Sequence, residues 1–354
     1  HPQVLEGGLR VRPTVHPIVT PFRVLRISGI LFLICLAVFV GSLFAGPGQV
    51  GVRTLLASLL STGSGSFAGD ADAGQTILLS LRLPRLVFAG IVGAALSVSG
   101  VVFQALLRNP LADPYILGIS GGAAVGAIAG ILLGAAAVPF GVPGLAFVGA
   151  LTTLLAVFAV AGAGRDLRSH TLLLAGVIVN AFFNAVIMFL LAVSSSGDLH
   201  SIMFWLMGDL SLARGRDILS VGAALVLGFS VICLYARPLN LIVTGEETAR
   251  TLGVDPATAK RVLLVVTSLM TGLAVSVSGT IGFVGLMVPH LMRMAFGPDH
   301  RLLLPASLFF GAAFLILADT LARTLLAPME LPVGVVTALC GAPYFIYLLR
   351  RMND

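Results

Sequence analysis

Long apolar stretches, separated by short groups of charged, proline and glycine residues, constrain this chain more than any other feature. A helix that crosses a bilayer needs about 20 mainly apolar residues. Charged residues make up only 10% of the chain, whereas a soluble domain has about a quarter. We therefore predict an all-α polytopic membrane protein with about ten transmembrane helices, at residues 27–45, 86–107, 114–135, 145–163, 171–193, 218–236, 261–279, 282–296, 302–322 and 332–349.

The basic residues predict how these spans are oriented. With ten spans both termini lie on one side, and alternating the loops places most of the 21 basic residues on that side. Because basic residues concentrate in cytoplasmic loops, we expect both termini in the cytoplasm. The predicted organisation is a tail at 1–26, a ten-span domain at 27–349 with a long cytoplasmic loop at 237–261, and a second tail at 350–354. The net charge of +6 is then an orientation signal and not a nucleic-acid footprint.

A short internal echo favours a two-half architecture. Ser97-Val98-Ser99-Gly100 recurs as Ser276-Val277-Ser278-Gly279, about half a chain length later, and each copy is followed by an apolar run that leads to a proline. Two halves of five spans each would have opposite membrane orientations, which is the inverted-repeat layout of many transporters. Four small residues can also match by chance.

Motifs for ATP hydrolysis and zinc binding are missing from the sequence. A P-loop ends in Gly-Lys-Ser/Thr, and the one lysine, Lys260, follows Pro-Ala-Thr-Ala. A pump built on this chain therefore draws its energy from a partner ATPase or from an ion gradient. Cys35, Cys233 and Cys340 lie far apart with no CxxC pair, so neither a disulfide framework nor a zinc site is predicted. For a transport subunit we also expect no metal site, no catalytic residue and no cofactor bound by this chain.

The loop at 237–261 carries several helix-boundary signals. Thr244 and Glu247 have the capping-box spacing, and Gly253 supplies a left-handed stop soon afterwards. Asp255 and Pro256 form the N-cap and first residue of the next span. These signals predict a two-turn helix outside the membrane, which offers a partner the side chains of Glu246, Glu247, Ala249, Arg250 and Leu252.

Some polar residues inside the spans have two interpretations each. Asn180 and Asn184 lie one turn apart, where they either line a wet pathway or hydrogen-bond between helices. Asp319 and Arg323 have the i,i+4 spacing of an ion pair, which we favour over a proton relay.

Glycine recurs at every fourth position over 118–130, and this spacing predicts close helix packing. The same stretch contains the Gly-x-Ser-Gly pattern of rhomboid-type intramembrane proteases, with Ser120 as nucleophile and His290 as base. That hypothesis is kept as the weaker alternative.

Several longer strings resemble one family, the FecCD-type permeases of bacterial ABC importers for iron-siderophores, haem and vitamin B12. They fall in the family's order and cover the chain from about residue 80 to its end. The strings are LRLPRL (81–86), GAALSVSGVVFQALLRNPLADPYILGISGGAAVGA (93–127), LLLAGVIVNAFF (172–183), FWLMGDLS (204–211), GEETARTLGV (245–254), SGTIGFVGLMVPHLMR (278–293), ADTLAR (318–323) and ELPVGVVTALCGAPYF (330–345).

The resemblance implies a type II ABC importer permease in the bacterial inner membrane. Its implied partners are a second permease copy, two cytoplasmic ATPases that hold ATP and Mg, and an extracytoplasmic binding protein. The implied coupling helix, which contacts the ATPase, comprises Gly245, Glu246, Glu247, Ala249, Arg250, Leu252 and Gly253. The arginines implied to dock the binding protein are Arg82, Arg85 and Arg323. The implied pathway and gate residues are Asn109, Leu111, Ser169, His170, Asn180 and Asn184, although His170 departs from the family's pattern.

The leading hypothesis is therefore a permease subunit that moves a ferric siderophore, haem or cobalamin by alternating access, without enzymatic activity of its own. The alternatives are a gradient-driven secondary carrier and the rhomboid-like protease.

Overall fold

A computed structural model describes residues 19–46, 77–161, 169–211 and 214–353. Within these ranges every regular element is helical. The α-helices are α1 (Pro21–Phe44), α2 (Leu83–Leu106), α3 (Ile119–Leu132), α4 (Gly141–Ala161), α5 (Ser169–Val193), α6 (Ser196–Leu206), α7 (Gly215–Leu234), α8 (Ala236–Thr244), α9 (Glu246–Thr251), α10 (Pro256–Ser278), α11 (Val284–Phe296), α12 (His300–Thr324) and α13 (Val333–Asn353). A π-helical turn, Ile77–Arg82, leads into α2, and a 3₁₀ turn, Ala135–Ala137, precedes α4.

The predicted polytopic architecture is confirmed by the lengths and composition of these helices. In the described part of the chain seven helices are long and apolar enough to cross a membrane, namely α1, α2, α4, α5, α7, α10 and α12. Three shorter apolar helices, α3, α11 and α13, overlap the remaining predicted spans. The ends differ from prediction, because α1 begins at Pro21 and α13 continues to Asn353. Both helices therefore extend into the predicted tails at 1–26 and 350–354. Residues 1–18 lie outside the described part.

Helix α2 is the central element of the bundle. It packs against α12, α11, α10 and α7, and 83% of its most apolar window is buried, compared with 6% for α5. Glycines permit this packing, because a Cβ at Gly100 would overlap the Gly285 carbonyl of α11 and one at Gly93 would overlap the Gly311 carbonyl of α12. Helix α5, by contrast, leaves most of its apolar surface uncovered by this chain.

Helices α3 and α11 are half-length and occupy equivalent places, the third span of each predicted half. Each starts after a left-handed residue, Gly118 at φ 76° and Phe283 at φ 68°. The irregular segments before them meet, since Tyr115 Oη donates to the Ile281 carbonyl at 3.0 Å and accepts from the Ile281 N–H at 3.2 Å. The predicted span 114–135 was therefore too long. Its first residues form a hydrogen-bonded turn and not a helix.

The glycine spacing over 118–130 does permit close packing, as predicted. A Cβ on Gly122 would overlap the Gly149 carbonyl of α4, and one on Gly126 would overlap the Leu145 carbonyl. Helices α3 and α4 thus touch backbone to backbone.

Two short helices, α6 and α8, were missed by the sequence reasoning. Helix α6 is capped by Ser195, whose Oγ accepts from the Asp198 N–H at 3.3 Å. Helix α8 follows α7 after a single residue, Tyr235. Both were assigned to loops because they are too short to show an apolar span.

Candidate functional site

Helices α8 and α9 pack together into one small unit, residues 236–251, which we call the α8–α9 unit. Two of its buried residues, Ile242 and Ala249, form a small core with Ala259 of α10. Tyr235 and Val254, which flank the unit, pack against this core. Ala249 was predicted to be available to a partner, and this was wrong: its side chain is 0% exposed because α9 needs a small residue where it meets α8 and α10.

The boundaries of α9 confirm one sequence signal and correct another. Its N-cap is Gly245, and the predicted capping box from Thr244 is wrong because α8 extends through Thr244, whose hydroxyl donates to the Leu241 carbonyl at 2.8 Å. At the other end Gly253 has φ 83°. The N–H groups of Gly253 and Val254 donate to the carbonyls of Arg250 and Ala249, which is the Schellman arrangement.

The next helix begins as predicted. Asp255 is the N-cap of α10, where its Oδ1 accepts from the Ala257 N–H at 3.0 Å, and Pro256 is the first residue of the helix.

Glu246 is the electrostatic centre of the α8–α9 unit. Its Oε1 lies 2.6 Å from Lys260 Nζ and 3.8 Å from Arg108 Nη2. Partial burial alone would raise the pKa of the Glu246 carboxyl, but the hydrogen bond and charge of Lys260, together with the charge of Arg108, hold that pKa below its usual value. The chain's one lysine therefore fixes α9 to the second turn of α10.

A second set of polar contacts fixes α8 to the start of α12. Asn240 Nδ2 donates to Asp299 Oδ1 at 2.8 Å, and Asn240 Oδ1 accepts from the His300 N–H at 2.9 Å. Burial raises the pKa of Asp299, but hydrogen bonds from Arg301 and Asn240 outweigh it and lower that pKa to about 2. The α8–α9 unit is thus tied to α10 and α12 together.

The outward side of α9 remains exposed. Glu247, Thr248 and Arg250 are exposed, and Leu252 just beyond the helix has 61% of its surface accessible. An apolar side chain on an otherwise charged ridge is suited to docking in a cleft of another protein.

The first pair of predicted gate residues lies in the segment that joins α2 to α3. Asn109 Oδ1 accepts from the Leu111 N–H at 2.9 Å, and Leu111 is exposed. The same segment supports α5, because Gly176 leaves no room for a Cβ beside the Ile116 carbonyl.

The other predicted pathway residues lie on α5. Ser169 begins α5, but its side chain lies outside the described part; His170 is exposed. Asn184 is exposed, while Asn180 is half-buried and has its Oδ1 3.2 Å from where a Cβ of Gly121 would lie. The structure therefore brings Asn180 to the beginning of α3 and leaves Asn184 on a surface that this chain does not cover.

A cavity of about 390 Å³ lies beside α6, apart from these pathway residues. Phe140 and Trp205 line it, together with Asp217 and with Arg216, whose guanidinium lies 4.5 Å from the Phe140 ring centre. The lining residues that the structure describes come from α3, α4, α6, α7, α10 and their connections, so the cavity is distinct from the α5 surface.

The three predicted docking arginines lie together in what we call the arginine cluster: Arg82, Arg85 and Arg323 with Asp319 and Glu330. Asp319 accepts from Arg85 Nε at 2.9 Å and from Arg323 Nε at 3.1 Å, so the predicted i,i+4 pair of Asp319 and Arg323 is present. Arg85 Nη1 also lies 2.7 Å from Glu330 Oε2, and Arg82 Nη1 donates to the Leu43 carbonyl at 2.9 Å. Arg82 and Arg323 are buried within the chain, so their side chains are not accessible to a docking partner in this structure.

Comparison with known proteins decides the family. The model of the FecCD transport family matches residues 32–351. This chain belongs to the FecCD transport family.

Relatives of this FecCD member are permeases of ABC importers. It is 48% identical over 282 residues to the cobalamin import system permease protein BtuC of Halobacterium salinarum, covering 80% of this chain and 75% of that protein. It is 41% identical over 336 residues to the hemin transport system permease protein HmuU of Yersinia pestis, covering 92% and 96%. Among solved structures, a metal-chelate type ABC transporter in an inward-facing conformation superposes with a TM-score of 0.80 at 32% identity, covering 92% of this chain and 99% of that one.

The protease alternative finds no support in the geometry of this FecCD chain. His290 lies on α11 with its ring 6.4 Å from that of Tyr344 and 6.0 Å from that of Phe345. Ser120 lies in the first turn of α3. Among the hydrogen bonds of the described residues, none joins Ser120 to His290.

Sequence reasoning missed the residues that connect the α8–α9 unit to the FecCD fold. Lys260 was noticed only as evidence against a P-loop, although its being the one lysine marked it out. Asn240 stood in a recognised loop without a role. Arg108 gave no signal, because its contacts with Ile242 and Glu246 join residues that are far apart in the sequence.

Proposed function

We propose that this chain is the permease subunit of an ATP-driven importer that carries a metal chelate (a ferric siderophore, haem or cobalamin) across the inner membrane by alternating access. The observation that carries the proposal is the α8–α9 unit. It presents an exposed ridge with Glu247 and Leu252 while its inner side is fixed to α10 and α12. Such a unit can be moved by a partner without losing its own structure.

The energy comes from a partner in this proposal. The one lysine is buried in an ion pair with Glu246 and is not in a P-loop, so two cytoplasmic ATPase subunits bind ATP and Mg. The proposal has the α8–α9 unit and both termini in the cytoplasm. The distribution of the arginines supports this orientation.

A second permease copy completes the pathway. The uncovered apolar surface of α5, with Asn180 and Asn184 on the same helix, supports a pathway between two copies. The names of the relatives, cobalamin and hemin permeases, support a metal chelate as cargo. A chelate of that size fits a wide cavity between two subunits better than a small pocket in one, so most of the selectivity lies in an extracytoplasmic binding protein.

Docking of that binding protein is proposed for the arginine cluster. Arg85 is the least enclosed of the three arginines and Glu330 already occupies it, at 2.7 Å. A carboxylate from the binding protein would therefore displace Glu330 before it reached Arg85. Glu330→Gln removes this competitor and keeps the pair of Arg85 with Asp319. It should speed association with the binding protein and steepen its salt dependence, because charges at the rim of an interface act mainly on the association rate.

The central experiment is ATP turnover by the assembled complex in liposomes, with cobalamin, haemin and a ferric siderophore each delivered by the binding protein. We expect no hydrolysis by the permease alone, and stimulation by one of the three chelates in the complex. Glu247→Lys should reduce uptake and ATP turnover together, whereas the matched charge reversal Arg350→Glu near the end of α13 should not. Uptake driven by a proton gradient without ATP would overturn the proposal in favour of a secondary carrier.

A further inference from the structure

Helix α2 ends in a way that singles out Arg108. The N–H of Arg108 donates to the Ala105 carbonyl and that of Asn109 to the Gln104 carbonyl, which is the Schellman arrangement seen also at Gly253. The residue at this position adopts the left-handed conformation, and Arg108 has φ 49°. Glycine is favoured there because a Cβ is disfavoured at positive φ. An arginine at a glycine position indicates that the side chain has a use.

The side chain of Arg108 bridges to the α8–α9 unit. Its Nη2 donates to the Ile242 carbonyl at 2.8 Å and lies 3.8 Å from Glu246 Oε1. Ile242 is in the last turn of α8. Carbonyls in the last turn of a helix lack the backbone N–H partner four residues later, and they attract cations. The planar guanidinium can serve a carbonyl and a carboxylate at once, which an ammonium group does less well.

The backbone of Arg108 leads directly into a well-ordered turn. Asn109 closes it twice, with its Oδ1 on the Leu111 N–H and its carbonyl on the Ala112 N–H at 3.0 Å. Further along, Tyr115 fastens the segment to Ile281. A displacement of Arg108 is therefore passed to Asn109 and Leu111 and is not absorbed by a flexible loop.

We propose that Arg108 is a positioning residue that couples the α8–α9 unit to the Asn109–Leu111 turn. When the ATPase moves α9, the bond from Arg108 to Ile242 and Glu246 carries the movement to the turn and so opens or closes the cytoplasmic gate. This inference rests on the proposed function, which supplies the ATPase, and on the gate role that the family resemblance implies for Asn109 and Leu111.

The test measures chelate molecules taken up per ATP hydrolysed by the assembled complex, with whichever of cobalamin, haemin or the ferric siderophore stimulates turnover. Arg108→Ala and Arg108→Gly should both lower this ratio about tenfold, within the range usual for couplings between sites, while ATP turnover stays within about twofold of wild type. Glycine relieves the backbone conformation, so the pair separates the side chain from the backbone.

Arg261→Ala is the matched control. Arg261 is an arginine one residue after Lys260 on α10, but its side chain is exposed, so its loss should leave the ratio unchanged. In a double-mutant cycle, Glu246→Gln and Arg108→Ala should be less than additive on the ratio, because they remove one shared contact.

An unchanged ratio in Arg108→Ala would overturn the proposal, as would a loss that Arg108→Gly restores. If neither variant assembles, Arg108→Lys becomes the test: it keeps the charge but not the two-acceptor geometry, and a wild-type ratio there contradicts the role. A wild-type complex with no ATP-driven uptake counts instead against the proposed function.

Discussion

The arginine cluster and the α8–α9 unit are both held by ion pairs, but they place those pairs differently. In the arginine cluster Asp319 is fully enclosed between Arg85 of α2 and Arg323 of α12. In the α8–α9 unit Glu246 keeps 34% of its side chain exposed while it binds Lys260.

This difference indicates that the arginine cluster has a structural role and that the α8–α9 unit has a mechanical one. Breaking a fully buried ion pair leaves a charge without water or partner, which is strongly destabilising, so the arginine cluster holds the long helices in fixed positions. In the Glu246–Lys260 pair the lysine is enclosed but the carboxylate stays in contact with water, so opening this pair should cost less than opening the fully enclosed one. The α8–α9 unit can therefore shift more readily than the arginine cluster.

The largest effect is expected from Asp319→Asn. Arg85 and Arg323 would lose the buried carboxylate they share, and the free energy of unfolding should fall by about 3–5 kcal/mol. Thermal unfolding of the purified permease in detergent measures this loss. Glu330→Gln is the control, because Glu330 is 45% exposed and its loss should cost about 1 kcal/mol or less. Equal melting of the two variants would show that the cluster is not the rigid region.

Gly100→Ala should have the next largest effect, and it should disturb both the arginine cluster and the α8–α9 unit. Helix α2 carries Arg85 near its start and Arg108 just beyond its end, and a methyl group at Gly100 meets the Gly285 backbone. Overpacking of this kind costs about 1–3 kcal/mol. Gly29→Ala on α1, where a Cβ meets nothing within 4 Å, should melt like wild type. A neutral Gly100→Ala would mean that α2 and α11 separate more readily than their contact indicates.

Glu246→Gln tests the α8–α9 unit. Its stability cost should lie between those of Glu330→Gln and Asp319→Asn, because glutamine still accepts a hydrogen bond from Lys260 but no longer neutralises that enclosed ammonium group. Chelate uptake by the assembled complex should nevertheless fall, since the bond that fixes α9 to α10 is weakened. A large loss of thermal stability with normal uptake would reverse the roles assigned to the two regions.

The effect expected from Asp299→Asn differs from the others in that it depends on pH. The folded-state pKa of about 2 lies below the ordinary value near 3.9, so the charged carboxylate contributes stability above about pH 4 that is lost as pH falls towards 2. Asparagine keeps the N-cap but not the charge. The melting difference between wild type and Asp299→Asn should be constant from pH 7 to 5 and shrink below pH 4; a difference that grows on acidification would contradict it.

The sequence predicted the parts of the fold that depend on local patterns. Ten apolar stretches gave the spans, the spacing of Asp319 and Arg323 gave their ion pair, and Gly253 with Asp255 gave the end of α9 and the start of α10. Each of these signals can be recognised in the sequence because it depends on a few nearby residues.

The remaining features depend on contacts between distant residues. Thr244 fits a capping box, but the continuation of α8 uses its hydroxyl first. Ala249 looked accessible on an isolated helix, yet it packs against Ile242 and Ala259. The burial of Arg82 and Arg323 follows from how α1, α2 and α12 meet, which no spacing within one segment reveals.

Lys260, the one lysine of the chain, has a practical consequence for labelling. Its side chain is 5% exposed and its Nζ is held by Glu246, so an amine-reactive dye applied to the intact complex would modify the partner proteins and spare this side chain. The dye would reach Lys260 only when α9 leaves α10. The rate at which the dye labels Lys260 during ATP turnover therefore measures how often α9 separates from α10.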